Sequence, residues 1–172
     1  MSYDPDQNPY KVRRSLTNSK PFNFDLEARR FCPQCGRYGL KIEHNFCKYC
    51  GVDLSEIEPI GKGDEIMKNL AISALSDPDP IVRKEAVDTL GNFKDKKVLG
   101  VLTYVLLNDP DEKVRKEAAD ELGDLHHPYS LHALTLALND KSPIVRKEAI
   151  EGLKKIKEKN KPDDMDKGKA EE

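Results

Sequence analysis

The sequence has no tryptophan, and its aromatics make up only 6% of 172 residues. With 37% hydrophobic and 35% charged residues there is material for one or two small domains, and too little for a large enzyme core. No apolar run reaches the roughly 18 residues that cross a bilayer, and the N-terminus lacks the apolar centre of a secretory signal. A cytoplasmic protein without membrane contact is expected. An excess of one charge is lacking too: 29 Lys and Arg stand against 31 Asp and Glu, a formal net charge of −2, so the chain as a whole is no polycation. Catalytic signatures are missing. There is no Gly-rich phosphate loop, no Ser/His/Asp set and no lone reactive cysteine, and a non-enzyme is expected.

Cysteine is absent everywhere except one window, where it is dense. Cys32-Pro-Gln-Cys35-Gly36 is followed, after an eleven-residue gap between the pairs, by Cys47-Lys-Tyr-Cys50-Gly51. Two tight pairs with no cysteine elsewhere argue for a metal site in a reducing compartment rather than a disulfide framework. Four thiolates suit one tetrahedral Zn(II), and because they close its shell the ion is expected to be structural. Iron is the alternative for the same four sulfurs. A glycine after each pair allows the turn that aims backbone N–H groups at sulfur. The pattern resembles the two knuckles of a short zinc ribbon, with Arg37 to Phe46 as the hairpin between them and His44 a solvent-facing hairpin residue. Such a knob of some 25 residues cannot make a core without metal, and its loss is expected to leave the rest of the chain helical.

The remainder is organised by repetition. Val-Arg-Lys-Glu-Ala recurs at Val82, Val114 and Val145, 32 and then 31 residues apart, a period of stacked helical hairpins. Apolar residues at i, i+4, i+8 and i+11 give each copy a buried stripe: Val82, Ala86, Leu90, Phe93; Val114, Ala118, Leu122, Leu125; and Val145, Ala149, Leu153, Ile156. Pro80 and Pro143 suit first helical turns, and the acidic or Ser residues ahead of them suit caps. A second apolar helical segment precedes each copy: Glu65 to Leu75, Val98 to Leu107 and Tyr129 to Leu138. The middle one is apolar almost all round, as a helix flanked by repeats on both sides should be.

A loop Asp with a helix Arg six positions on, then Ala-x-x-x-Leu-Gly, resembles the HEAT-like repeats first associated with phycobilisome chromophore lyases, over about residues 63 to 158. The resemblance implies a hydrogen-bonded ladder of Asp77, Asp109 and Asp140 with Arg83, Arg115 and Arg146. It carries no transferable catalytic motif. Deoxyhypusine hydroxylases are also HEAT-like, but their iron ligands come from His-Glu pairs, and no His here is followed by Glu. His126, His127 and His132 read as turn and helix residues.

The expected fold is mainly α: a short α-solenoid of three HEAT-like helical hairpins, preceded by a small β zinc ribbon and a flexible N-terminal arm. The partition is arm 1–28, ribbon 29–55, linker 56–63 with some docking by Leu54, Ile57 and Ile60, repeats 64–159 (about 64–94, 95–126 and 127–158), and a disordered charged tail 160–172. Between Tyr10 and Lys41, eight Lys or Arg face only Asp25 and Glu27. Lys11, Arg13, Arg14, Arg29, Arg30, Arg37 and Lys41 are therefore candidate contacts to nucleic acid through residues 10–51. On the second helices Lys84, Lys116 and Lys147 alternate with acids four residues on, a pattern that suits a salt-bridged surface or a protein partner better than a phosphate backbone. Two functions remain: a non-catalytic protein–protein adaptor or scaffold, an accessory subunit or assembly factor of a larger complex; or a nucleic-acid-associated factor of the ribosome or transcription machinery using the arm and ribbon.

Overall fold

A computed structural model describes residues 23–61 and 63–161. Lys11, Arg13, Arg14, most of the arm and nearly all of the tail lie outside the described residues. Two short antiparallel strands, β1 (Arg29–Arg30) and β2 (Leu40–Lys41), pair Arg29 with Lys41 and Arg30 with Leu40. Six helices follow: α1 (Glu65–Ser76), α2 (Pro80–Asn92), α3 (Leu99–Asn108), α4 (Glu112–Asp124), α5 (Ser130–Ala137) and α6 (Pro143–Lys159). The chain is a mainly helical solenoid preceded by a small β region.

Local chemistry sets the helix starts. Asp79 accepts from the N–H of Ile81, and Asp111 from those of Lys113 and Val114, satisfying backbone donors that an isolated first turn leaves free. Pro80 and Pro143 occupy first-turn positions, where a missing N–H costs nothing. Ser142 makes no cap. Its hydroxyl donates instead to Glu112 at 2.5 Å, tying α6 to α4.

The helices pack as hairpins α1/α2, α3/α4 and α5/α6, and α2, α4 and α6 lie side by side in that order. The tetrad stripe is buried where a preceding repeat covers it: Val114 and Val145 are fully enclosed. In the first copy, Val82 is 43% and Phe93 44% exposed, against expectation. Among the described residues no repeat precedes that of α1 and α2, so the residue that should face a neighbouring repeat faces solvent.

The β region is not a separate knob on a linker. Phe24, Leu26, Phe31, Ile57 and Ile60 belong to the same buried cluster as the interior of α1 to α6. This revises the flexible arm at its inner end, since Phe24 and Leu26 are core residues, and it revises the account of α3. That helix is apolar all round because the segment before the solenoid covers one of its faces. Tyr104 packs against Phe24 and Phe31, with ring centroids 5.8 Å and 5.0 Å away. Gly100 is required at the joint: a Cβ there would stand 2.6 Å from the carbonyl oxygen of Phe31.

Candidate functional site

The two cysteine loops are built alike. The N–H of Gly36 donates to Cys32 and that of Gly51 to Cys47, while Cys32 and Cys47 donate to the carbonyls of Arg37 and Val52. Both glycines adopt positive φ, 70° and 77°, closing tight turns that return the chain toward sulfur. Backbone N–H groups of Cys35 and Tyr49 point at the sulfurs of Cys32 and Cys47, each at 3.4 Å.

The four sulfurs converge. Cys32 and Cys50 lie 3.6 Å apart, Cys35 and Cys47 3.8 Å, and all four Sγ atoms fall within 4.8 Å of one another. A tetrahedron with Zn–S bonds of about 2.3 Å has edges of about 3.8 Å, so the donor set fits such an ion in size and in softness. Thiols this close share protons. The hydrogen bond between Cys32 and Cys35 raises the former and lowers the latter to about 5, whereas burial lifts Cys50 to about 11. A soft dication in the centre would relieve that competition. His44 is exposed, as expected of a hairpin residue.

The solenoid holds this centre directly. Thr103, wholly buried in α3, donates to the carbonyl of Pro33 at 3.0 Å, and Tyr129 reaches the carbonyl of Asp53 at 2.9 Å. Lys68 of α1 bonds Glu27 at 2.9 Å.

Along the second helices, Arg83 and Arg115 each span two repeats. Arg83 grips Asp109 with two bonds of 2.8 and 2.9 Å and also donates to the carbonyl of Asp77. Arg115 does the same with Asp140, at 2.8 and 2.9 Å, and with the carbonyl of Asp109. The bond to Asp109 holds the Arg83 pKa above its usual value. Arg146 ends the series. It donates only to the carbonyls of Asp140 and Lys141 among the described residues.

The short lysine pairs cross between repeats and are not made with the acids four residues on. Lys84 reaches Glu117 of α4 at 3.1 Å, and Lys116 reaches Glu148 of α6 at 3.3 Å. Lys147 has no such partner among the described residues. Sequence reasoning missed one group here: Asp88, Glu117 and Glu121 bring carboxylate oxygens within 4.8 Å of one another. Glu121 is 6% exposed and lies over Gly91, where any side chain would collide with it. Burial pushes its pKa up to about 7, against the pull of Lys94 at 3.7 Å. The signal was faint, because the same register position is Thr89 in the first copy and Gly152 in the third.

The basic candidates divide. Arg30 is withdrawn as a surface contact: it is buried, and its guanidinium donates to the carbonyls of His44, Leu54 and Ile57. Arg29 bonds the carbonyl of Gly39 at 3.3 Å. Arg37 and Lys48 flank the exposed ring of Tyr49, at 4.7 Å and 5.0 Å from its centroid, with Phe46 exposed nearby in sequence. Lys41 is exposed and stands 3.8 Å from Glu43.

Comparison with known families agrees with the repeat architecture. A family model described as HEAT repeats matches residues 100–167, and one described as HEAT repeat associated with sister chromatid cohesion matches residues 53–90. HEAT repeats are thus detected in two stretches of the chain. No curated protein matches the chain.

Proposed function

We propose that this protein is a non-catalytic adaptor that holds a protein partner on its HEAT-repeat face, with one structural zinc ion fastening the segment before the solenoid. The observation that carries the reading is the continuous face made by α2, α4 and α6. Its Lys and acid side chains pair between repeats, and Glu85 and Lys147 are exposed, so both signs are offered, which suits a polar protein surface and not a phosphate backbone. HEAT repeats generally serve protein–protein interaction, which supports the same reading. Cys32, Cys35, Cys47 and Cys50 would hold the zinc. The ion supplies cross-linking and charge, and the thiolates leave no position for a substrate.

A second reading, contact with nucleic acid, draws support from Tyr49 with Arg37 and Lys48 beside it on the exposed end of the cysteine module, a combination suited to stacking and phosphate pairing. Native pull-down of tagged protein, at low and raised salt and with and without nuclease, separates the two. A defined protein set that persists through both treatments supports the adaptor. Companions lost to nuclease or modest salt would sink it in favour of the nucleic-acid reading.

A further inference from the structure

The two ends of the solenoid are complementary, and the complementarity follows the register of its internal joints. Counting from the tetrad, Val114 and Val145 face the preceding repeat and are fully buried, whereas Val82 in the same position is 43% exposed. Five residues further on, Val87 and Ala119 are fully buried beneath the following repeat, whereas Ile150 is 47% exposed. Each internal joint thus closes a residue of one series and a residue of the other, and the stack ends with one of each left open. A solenoid end that faces water is ordinarily polar. Here Val82 is exposed at one end and Ile150 at the other.

The charges repeat the pattern. At the internal joints Arg83 holds Asp109 and Arg115 holds Asp140; the arginine left over is Arg146 and the aspartate left over is Asp77. The Asp77 carboxylate is already set for a partner, because its Oδ1 accepts the N–H of Asp79 at 2.9 Å just as Asp109 accepts that of Asp111 at 2.9 Å. Lys84 pairs with Glu117 and Lys116 with Glu148, so the lysine left over is Lys147. The acid in the matching position is Glu85, exposed and 3.8 Å from Lys84 of its own helix. One end therefore offers two donors around an apolar residue, and the other two acceptors around an apolar residue. Neither end matches itself, which disfavours a symmetric dimer.

We propose that copies of this chain stack head to tail, the α6 end of one copy (Arg146, Lys147, Ile150) docking on the α2 end of the next (Asp77, Val82, Glu85). The joint would be heterologous and would reproduce the contact between repeats, so the array extends without a fixed number of members. Among the described residues the cysteine module bonds to α3 and to Tyr129, outside the residues of this joint.

Sedimentation velocity on the full chain tests this. The wild type should show a weight-average mass that rises with concentration to at least twice the monomer and falls with added salt. Val82→Glu blocks one end and Ile150→Glu the other; both side chains are exposed in the single copy, so neither change enters the core. Each variant alone should remain monomeric. An equimolar mixture should form a one-to-one dimer and nothing longer, since it contains one intact pair of ends, and that dimer would show that both variants are folded. A wild type monomeric at every concentration, a single variant that still assembles, or a mixture without dimer overturns the proposal.

Discussion

The hydroxyl of Thr103, midway along α3, donates to the carbonyl of Pro33 at 3.0 Å, and Pro33 sits between two of the four clustered cysteines. The centre of the solenoid and the candidate metal loop share a hydrogen bond that is buried on the solenoid side. Each therefore supports the other. Without the cysteine module, α3 would present Tyr104, Thr103 and Gly100 to water; without α3, the loops would lose the surface they lie on.

Metal removal is expected to be felt by the helices. A chelator or Cys32→Ser should lower the melting temperature of the helical circular dichroism signal, because the face of α3 and the rings of Phe24 and Phe31 lose their cover together. Loss of the cysteine module with an unchanged helical melt would show that the two parts fold independently.

Gly100→Ala tests the same joint without touching sulfur. The new methyl would stand 2.6 Å from the carbonyl oxygen and 2.7 Å from the Cβ of Phe31, so the segment must shift off α3. Overpacking of this kind costs about 1 to 3 kcal/mol. It outweighs the gain in helix propensity from replacing glycine, which is about 1 kcal/mol. Urea unfolding should show the net loss, and a stabilised variant would mean that the joint yields freely.

Much of this was legible in the sequence, and the reasons differ by residue. The helices were readable because Val-Arg-Lys-Glu-Ala repeats with a fixed period and each copy has a stripe at helical spacing. The four cysteines were readable because metal geometry demands tight pairs. The docking of the cysteine module was not, because Tyr104 lies far along the chain from Phe24 and Phe31 and shares no period with them. The apolar surround of α3 was visible, but burial by a neighbouring repeat and burial by the β region leave the same mark on a sequence. Arg30 looked like its exposed neighbours because a run of basic residues does not reveal which one turns inward to bind carbonyls.

The arginine series predicts a graded response. Arg115→Ala removes two bonds to Asp140 and leaves that carboxylate half-buried, without the guanidinium that joins α4 to the α5/α6 turn. Breaking such a pair costs about 3 kcal/mol. Arg146→Ala removes bonds to the carbonyls of Asp140 and Lys141 from an end of the stack that is more open, and should cost about 1 kcal/mol. Thermal or urea unfolding of dilute samples distinguishes them. Equal losses would mean that the carboxylate clamp adds nothing to the carbonyl contacts.

Glu121 makes stability depend on pH in a direction opposite to that of an ordinary salt-bridged acid. Burial raises its pKa in the folded chain to about 7, with Asp124, Asp120 and Asp88 adding to the effect and Lys94 opposing it. The folded state thus binds the proton more tightly than the unfolded chain does. The stability contributed by the protonated form is fully present below the ordinary carboxyl range near pH 4.5 and is lost as pH rises toward 7. The loss is at most about 3.5 kcal/mol, since a tenfold difference in proton affinity between the two states corresponds to about 1.4 kcal/mol. Glu121→Gln keeps the shape of the acid and cannot ionise. Urea unfolding across this range should find wild type and variant alike at the acid end and the variant more stable at pH 8. Parallel curves for the two proteins would show that Glu121 ionises in the folded chain as freely as it does in water.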